Sequence, residues 1–258
     1  MKKTILITGA TDGIGLATAE QLAGAGHHVL VHGRNPEKTL RLAERLAAQR
    51  YIADFSNLTD VSELATRICA DHPVLDVLIN NAGVFKTSNP STDAGHDVRF
   101  VVNTLAPVVL TQRLLPILRP ASRVINLSSA AQAPVDLDAL SGATRVSDME
   151  AYAQSKLALT MWSRASATPD GPLMIALNPG SLLATKMVEE AFGESRGGVE
   201  VGADVVCRAA LGDDFADASG RYFDNDLGRF SDPHPDALDA TTTGKVLDVI
   251  NALTKAYR

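Results

Sequence analysis

Two short motifs hold most of the residues able to do chemistry. In Ala151-Tyr152-Ala153-Gln154-Ser155-Lys156 a phenol and an ammonium stand four residues apart, and residues at that spacing share one face of a helix. A positive charge beside a phenol stabilises phenolate and draws the tyrosine pKa down from its usual value of about 10. Such a Tyr152 can give or take a proton near neutral pH. The second motif, Thr8-Gly9-Ala10-Thr11-Asp12-Gly13-Ile14-Gly15, lies near the start of the chain. Its glycines permit a tight turn and close backbone approach, and a following helix offers free N–H groups and its positive dipole end to a pyrophosphate. Together the motifs suggest a proton transfer coupled to a dinucleotide cofactor. Each has a plainer reading alone, since Tyr-x-x-x-Lys arises by chance on ordinary helices and glycine-rich turns are common.

The elements that must position these groups alternate strand and helix from the first residues, the pattern of a doubly wound parallel α/β sheet with helices on both faces. Strands are predicted at 4–8, 28–32, 51–53, 74–79, 123–127, 173–177 and 221–223. Helices are predicted at 13–25, at 36–49 with Pro36 in the first turn, and around Val61, Leu64, Ala65 and Ile68. Further helices are predicted at 96–118, where Pro107 should introduce a kink, and at 151–165, 185–192, 201–211 and 244–256. Residues 132–150 read as a polar loop. No repeat or linker interrupts the pattern, so one domain is expected over 1–258, with cofactor binding mainly in 1–130 and catalytic and substrate elements in 129–193.

The chain has 258 residues, 45% of them hydrophobic, and a formal net charge of −6. No basic stripe is present to meet phosphates, which argues against a nucleic-acid partner. Cys69 and Cys207 each fall in a predicted helix and read as buried reduced thiols. The six histidines show no ligand spacing, so no metal is expected. No signal peptide is read at the start, and no segment approaches the roughly 20 apolar residues of a membrane span. The expectation is a cytoplasmic protein acting on a small molecule, with room for a homo-oligomer.

The cofactor type is written at the end of the second strand. An acid there would take the ribose hydroxyls and favour NAD(H), but the residues are His32-Gly33-Arg34-Asn35. Arg34 can clamp a 2′-phosphate with paired hydrogen bonds, which points to NADP(H) over NAD(H). The alternative is a solvated arginine at a helix start. After the third strand, Asp54 either accepts from an adenine amino group, with Phe55 packed nearby, or caps a helix. Asn80-Asn81-Ala82-Gly83 ends the fourth strand at the same sheet edge, where ligands of parallel sheets bind.

In this order the motifs resemble the short-chain dehydrogenase/reductase family. The set comprises Thr-Gly-x-x-x-Gly-Ile-Gly, Asn-Asn-Ala-Gly, Asn103 in Val-Asn-Thr, Ser128-Ser129, Tyr152-x-x-x-Lys156, and Asn178-Pro179-Gly180 with Thr185. The resemblance implies a single-domain Rossmann fold of about seven parallel strands and hydride transfer between NAD(P)(H) and an alcohol or carbonyl. It implies Tyr152 as acid/base, with Lys156 lowering its pKa and holding the nicotinamide ribose, and Ser129 bonded to the substrate oxygen. It further implies that Asn103 holds a water in the proton relay. The glycine turn (Gly9, Thr11, Asp12, Gly13, Ile14, Gly15), Arg34, Asn35, Asp54, Phe55, Asn81, Ala82 and Gly83 would contact the cofactor, as would Pro179, Gly180, Leu182 and Thr185 at its nicotinamide end.

Two departures stand out. Ser129 and Tyr152 are 23 residues apart (152 − 129), wider than in most members, and retinol-dehydrogenase-like members carry a similar insertion; Ser128 is the other candidate. Thr185 comes one residue later after Pro-Gly than usual. The segment holding Leu182, Leu183, Met187, Val188, Ala191 and Phe192 reads as an apolar flap over the nicotinamide, favouring a lipophilic aldehyde or ketone with Leu183 and Met187 touching it; the same spacing suits a helix packed on the core. Competing functions are an NADP-binding regulatory protein with weak catalysis, and a sugar-nucleotide epimerase or dehydratase. The intact Tyr-Lys pair argues against the first. The short stretch after Thr185 argues against the second.

Overall fold

The computed structural model describes residues 1–181, 183, 184 and 197–258. Among these residues eight strands form one sheet in the order β3-β2-β1-β4-β5-β6-β7-β8. They are Thr4–Ile7 (β1), His28–Gly33 (β2), Gln49–Ile52 (β3), Leu75–Asn80 (β4), Leu118–Leu127 (β5), Leu173–Asn178 (β6), Arg221–Asp224 (β7) and Arg229–Ser231 (β8). Neighbours pair in parallel except β7 with β8. Successive side chains on a strand point to opposite faces. Ile5, Ile7, Val29, Val31, Val77 and Ile79 therefore join one buried cluster, while Leu6, Leu30 and Leu78 join the other.

Helices cover both faces. Gly13–Gly24 (α1), Pro36–Leu46 (α2) and, much later, Val199–Leu211 contribute to the first cluster. Leu58–Asp71 (α3), the helical run from Val98 to Ile117, and Asp148–Ala165 pack on the second. That run comprises Val98–Phe100 (α4), a π-helical turn Val101–Leu105, Ala106–Leu114 (α5) and a final 3-10 turn Leu115–Ile117. The π turn ends two residues before Pro107, whose missing N–H cannot complete a regular ladder. By length and composition the run could cross a membrane, a feature the sequence reading missed, yet its most apolar stretch is 78% buried within the fold.

Several boundaries move for local reasons. α2 stops at Leu46 because Ala47 turns left-handed (φ 48), which frees Gln49 to begin β3. The predicted loop at 132–150 contains a five-residue helix, Leu137–Ser141 (α6), capped by Asp136 and closed by Gly142, with Ala139 and Leu140 buried. The next helix, Asp148–Ala165 (α7), begins three residues earlier than expected, where Ser147 and Glu150 form a reciprocal capping box. Val199–Leu211 (α8) and Ala240–Thr254 (α9) close the described helices. β8 makes the sheet one strand wider than expected; three residues are too few for periodicity to reveal. The helix expected at 185–192 lies outside the described residues.

Candidate active site

The carboxyl ends of β1, β2, β3, β4, β5 and β6 open onto one cavity of about 430 Å³. Gly9, Thr11, Asp12, Gly13 and Ile14 line it from the turn between β1 and α1. Asp12 caps α1, its carboxylate accepting from the Gly13 amide at 2.8 Å. The other amides of the first turn have no intrahelical acceptor. Asn81 ties this turn to β4, donating from Nδ2 to the carbonyl oxygens of Thr8 (2.8 Å) and Gly9 (3.0 Å). Thr8 Oγ1 accepts from the amides of Asn81 and Ala82. Gly15 is absent from the cavity wall. It makes the packing possible instead: a Cβ there would lie 2.4 Å from the Gly9 carbonyl oxygen and from Asn81 Nδ2.

At the β2 and β3 ends, His32 is a wall residue that the sequence analysis did not assign to the site. Its Nδ1 accepts from the Gly9 amide at 3.2 Å, so its Nε2 carries the hydrogen and donates to the Ala53 carbonyl at 3.1 Å. Burial lowers its pKa to about 4, keeping the ring neutral. Phe55 stacks on it at 4.2 Å between ring centres. Asp54 lines the cavity, but its carboxylate accepts from the amide and hydroxyl of Ser56 (2.9 and 2.8 Å), and Asn57 caps α3. Arg34 stands exposed on the rim with no acceptor among the described residues. Asn35 is off the wall; its Oδ1 caps α2 by accepting from the Lys38 amide at 2.9 Å.

At the β5 end, Tyr152 and Lys156 rise from α7 into the cavity. Lys156 Nζ donates to the Leu127 carbonyl at 2.7 Å and lies 5.7 Å from the Tyr152 ring centre. Burial lowers the lysine pKa to about 8. Burial also pushes the Tyr152 phenol up, against a lowering hydrogen bond with the Ser129 hydroxyl. This corrects the expectation that Lys156 draws the phenol down: its ammonium is turned to the Leu127 carbonyl, and desolvation dominates. Phe85 meets the tyrosine ring edge-on at 5.0 Å.

The two serines part company. Ser129, the predicted substrate contact, is off the cavity wall; its Oγ accepts from the Ala131 amide at 3.1 Å, and its carbonyl accepts from Tyr222 Oη (3.1 Å) and Gln132 Nε2 (2.9 Å). Ser128 lines the wall, but its Oγ is buried and bonds Thr160 Oγ1 at 2.7 Å. Asn103, fully buried in the π turn, spends its amide on the backbone of Val84 (2.8 and 3.0 Å) and on Ser155 Oγ (3.0 Å). Its side chain is thus a brace for the loop after β4, not part of the wall.

Ala82, Gly83 and Pro179 line the cavity, and Gly180 follows in a left-handed conformation (φ 123). Leu183 is buried, pairing in a short bridge with Gly197, and is off the wall. Leu182, Thr185 and Met187 lie outside the described residues. Val84, Val102 and Leu127 complete an apolar stretch of wall that no motif signalled.

Residues 3–195 match the family described as short chain dehydrogenase. Retinol dehydrogenase 13 of Homo sapiens is 31% identical over 252 residues, covering 86% of this chain and 76% of that protein. Retinol dehydrogenase 12 of Mus musculus is 31% identical over 243 residues, covering 86% and 77%. Among solved structures, a Mycobacterium paratuberculosis protein superposes with TM-score 0.78 at 28% identity, covering 98% of this chain and 93% of that one. A short chain dehydrogenase of Escherichia coli CFT073 complexed with NADPH superposes with TM-score 0.68 at 28% identity, covering 86% and 96%. With three quarters of its length matched and an ordered motif set brought to one sheet edge, this chain belongs to the short-chain dehydrogenase family.

Proposed function

We propose that the chain is an NADP(H)-dependent oxidoreductase that interconverts a lipophilic alcohol with its aldehyde or ketone, with Tyr152 as acid/base. The observation that carries this reading is the span of one cavity, with Tyr152 and Lys156 at one end and Arg34 at the other. The residues fit the cofactor. The amides at the start of α1 that have no intrahelical acceptor suit a pyrophosphate. Arg34, with no carboxylate closing β2, suits a 2′-phosphate. The relative of known structure that carries NADPH supports the same choice.

NADP(H), when bound, supplies or takes up the hydride. The Tyr152 and Ser129 hydroxyls would both address the substrate oxygen. In reduction Tyr152 donates its proton to that oxygen, and in oxidation it takes the proton back. Its raised phenol pKa keeps the proton in place at neutral pH, as a donor requires. Lys156 stabilises the tyrosinate as it forms, from a buried position where its charge is poorly screened. Val84, Val102 and Leu127 keep water from the reacting centre. The retinol dehydrogenases among the relatives, named for an apolar alcohol, support a lipophilic substrate.

A panel of neutral aldehydes and ketones followed by NADPH absorbance tests the proposal. kcat/KM should rise along a homologous series, with each buried methylene contributing about 0.8 kcal/mol. Tyr152→Phe should abolish turnover and leave NADPH binding intact. Wild-type kcat in that variant, or a preference for charged sugar nucleotides, would refute it.

A further inference from the structure

The turn that closes the β6 end of the cavity is held by a segment more than forty residues away. Asp226, in the turn between β7 and β8, accepts from the Ser181 amide at 2.8 Å, from Ser181 Oγ at 2.5 Å and from Asn178 Nδ2 at 3.0 Å. Its neighbour Asn225 donates from Nδ2 to the Pro179 carbonyl at 2.9 Å and from its amide to the Asn178 carbonyl at 3.1 Å. Asn178 Oδ1 in turn accepts from the Gly180 amide at 3.2 Å. Gly180 sits at φ 123, a conformation with little intrinsic preference for one shape. The path from Asn178 to Ser181 is therefore fixed mainly by these bonds, and Pro179 on that path is cavity wall.

We infer that Asp226 is a positioning residue that sets the Pro179–Ser181 turn, and with it the part of the cavity that receives the nicotinamide half of the cofactor. This rests on the NADP(H) reading, in which Arg34 marks the adenosine end and Tyr152 the reacting end. A carboxylate suits the task because one group accepts from a backbone amide, a hydroxyl and a side-chain amide at once, and charged acceptors make the stronger bonds. Asparagine would keep the shape but offer a single acceptor atom.

The test compares two ligands that share the adenosine half. Dissociation constants for NADPH and for 2′,5′-ADP, which lacks the nicotinamide, are measured by calorimetry on the wild type, Asp226→Ala, Asp226→Asn and Ser181→Ala. Asp226→Ala should weaken NADPH about three- to tenfold, the loss of charge-assisted bonds discounted for their exposure. Binding of 2′,5′-ADP should stay within about twofold. Asp226→Asn should fall between, and Ser181→Ala, which removes one bond and leaves the amide contact, should shift NADPH alone by a smaller factor. Equal weakening of both ligands, or unchanged NADPH binding in Asp226→Ala, overturns the inference. Should Asp226→Ala fail to fold, Ser181→Ala decides, and unchanged NADPH binding there overturns the inference. A wild type that prefers NADH would instead refute the NADP(H) reading, and the clamp is then judged by the same comparison with NADH and 5′-ADP. No dinucleotide binding at all would refute both.

Discussion

Lys156 Nζ donates to the carbonyl oxygen of Leu127 at 2.7 Å while its side chain lies buried on α7. One neutral acceptor replaces a hydration shell, and burial lowers the pKa from 10.5 to about 8. Between those values the unfolded chain holds more protons than the folded one, so this group's contribution to stability rises with pH across that window. Below about pH 8 the full cost of burying the charge is borne. Lys156→Met should therefore stabilise the fold at pH 7 by roughly 1–3 kcal/mol while removing activity, and the gap should narrow toward pH 10. Urea unfolding of both proteins at pH 7 and 9.5 checks it. A Met variant less stable at pH 7 would mean the Leu127 bond outweighs desolvation.

Ser128 and Ser129 should separate stability from catalysis. Ser128 Oγ is buried and bonded to Thr160 Oγ1, so Ser128→Ala leaves that hydroxyl short of a partner and should cost about 1 kcal/mol of stability with kcat nearly unchanged. Ser129→Ala should leave stability near wild type and lower kcat by roughly a hundredfold, the scale of losing one positioned hydrogen-bond donor. A large kcat loss confined to Ser128→Ala would reverse the assignment.

Arg34 is exposed and holds no ion pair among the described residues, so removing it should disturb the fold little. Arg34→Ala should weaken NADPH by about 1.5–3 kcal/mol, the range for a hydrogen bond to a charged group, and leave NADH nearly unaffected. The ratio of the two dissociation constants is the measurement, and equal losses would remove Arg34 from the 2′-phosphate role.

How much of this was legible beforehand follows from the length scale of each signal. β1, β2, β4 and α1 announce themselves by apolar runs and the glycine turn, and Tyr152 and Lys156 by a spacing that any helix converts into a shared face. The placement of Asn81, Ala82 and Gly83 followed from the rule that ligands meet the carboxyl edge of a parallel sheet. What stayed hidden depends on tertiary partners. His32 reads as one more strand residue until Gly9 and Ala53 are found on either side of its ring. Asn103 reads as a site residue until Val84 is seen to absorb its amide. Asp54 could cap a helix or face a ligand, and only the Ser56 bonds show a third use. The lowered phenol pKa expected for Tyr152 failed for the same reason, since spacing along a helix says nothing of desolvation.

Arg99 is the clearest case of a residue that no local pattern flags. It sits in the apolar run from Val98 to Ile117, yet its side chain is only 2% exposed and every arm of the guanidinium is used. Nε and Nη2 clasp the Asp97 carboxylate at 2.9 and 2.6 Å, and Nη1 donates to Asp148 at 2.8 Å and to the Phe85 carbonyl at 3.1 Å. Asp148 opens α7, four residues before Tyr152, and the Phe85 ring rests against Tyr152. The arginine therefore ties the start of α7 to the loop beside it. Arg99→Met would leave the Asp97 carboxylate without its cation and should cost roughly 3 kcal/mol, whereas Arg99→Lys, a point charge that cannot reproduce the fork, should cost less. Asp148 is half exposed, at 52%, so its coupling to Arg99 in a double-mutant cycle with Asp148→Asn should be about 1 kcal/mol. If Arg99 acts through Tyr152 as well as through the fold, Arg99→Lys should lower kcat more than it raises KM under conditions where the variant remains folded. A variant that loses stability with an unchanged kcat would confine Arg99 to the scaffold.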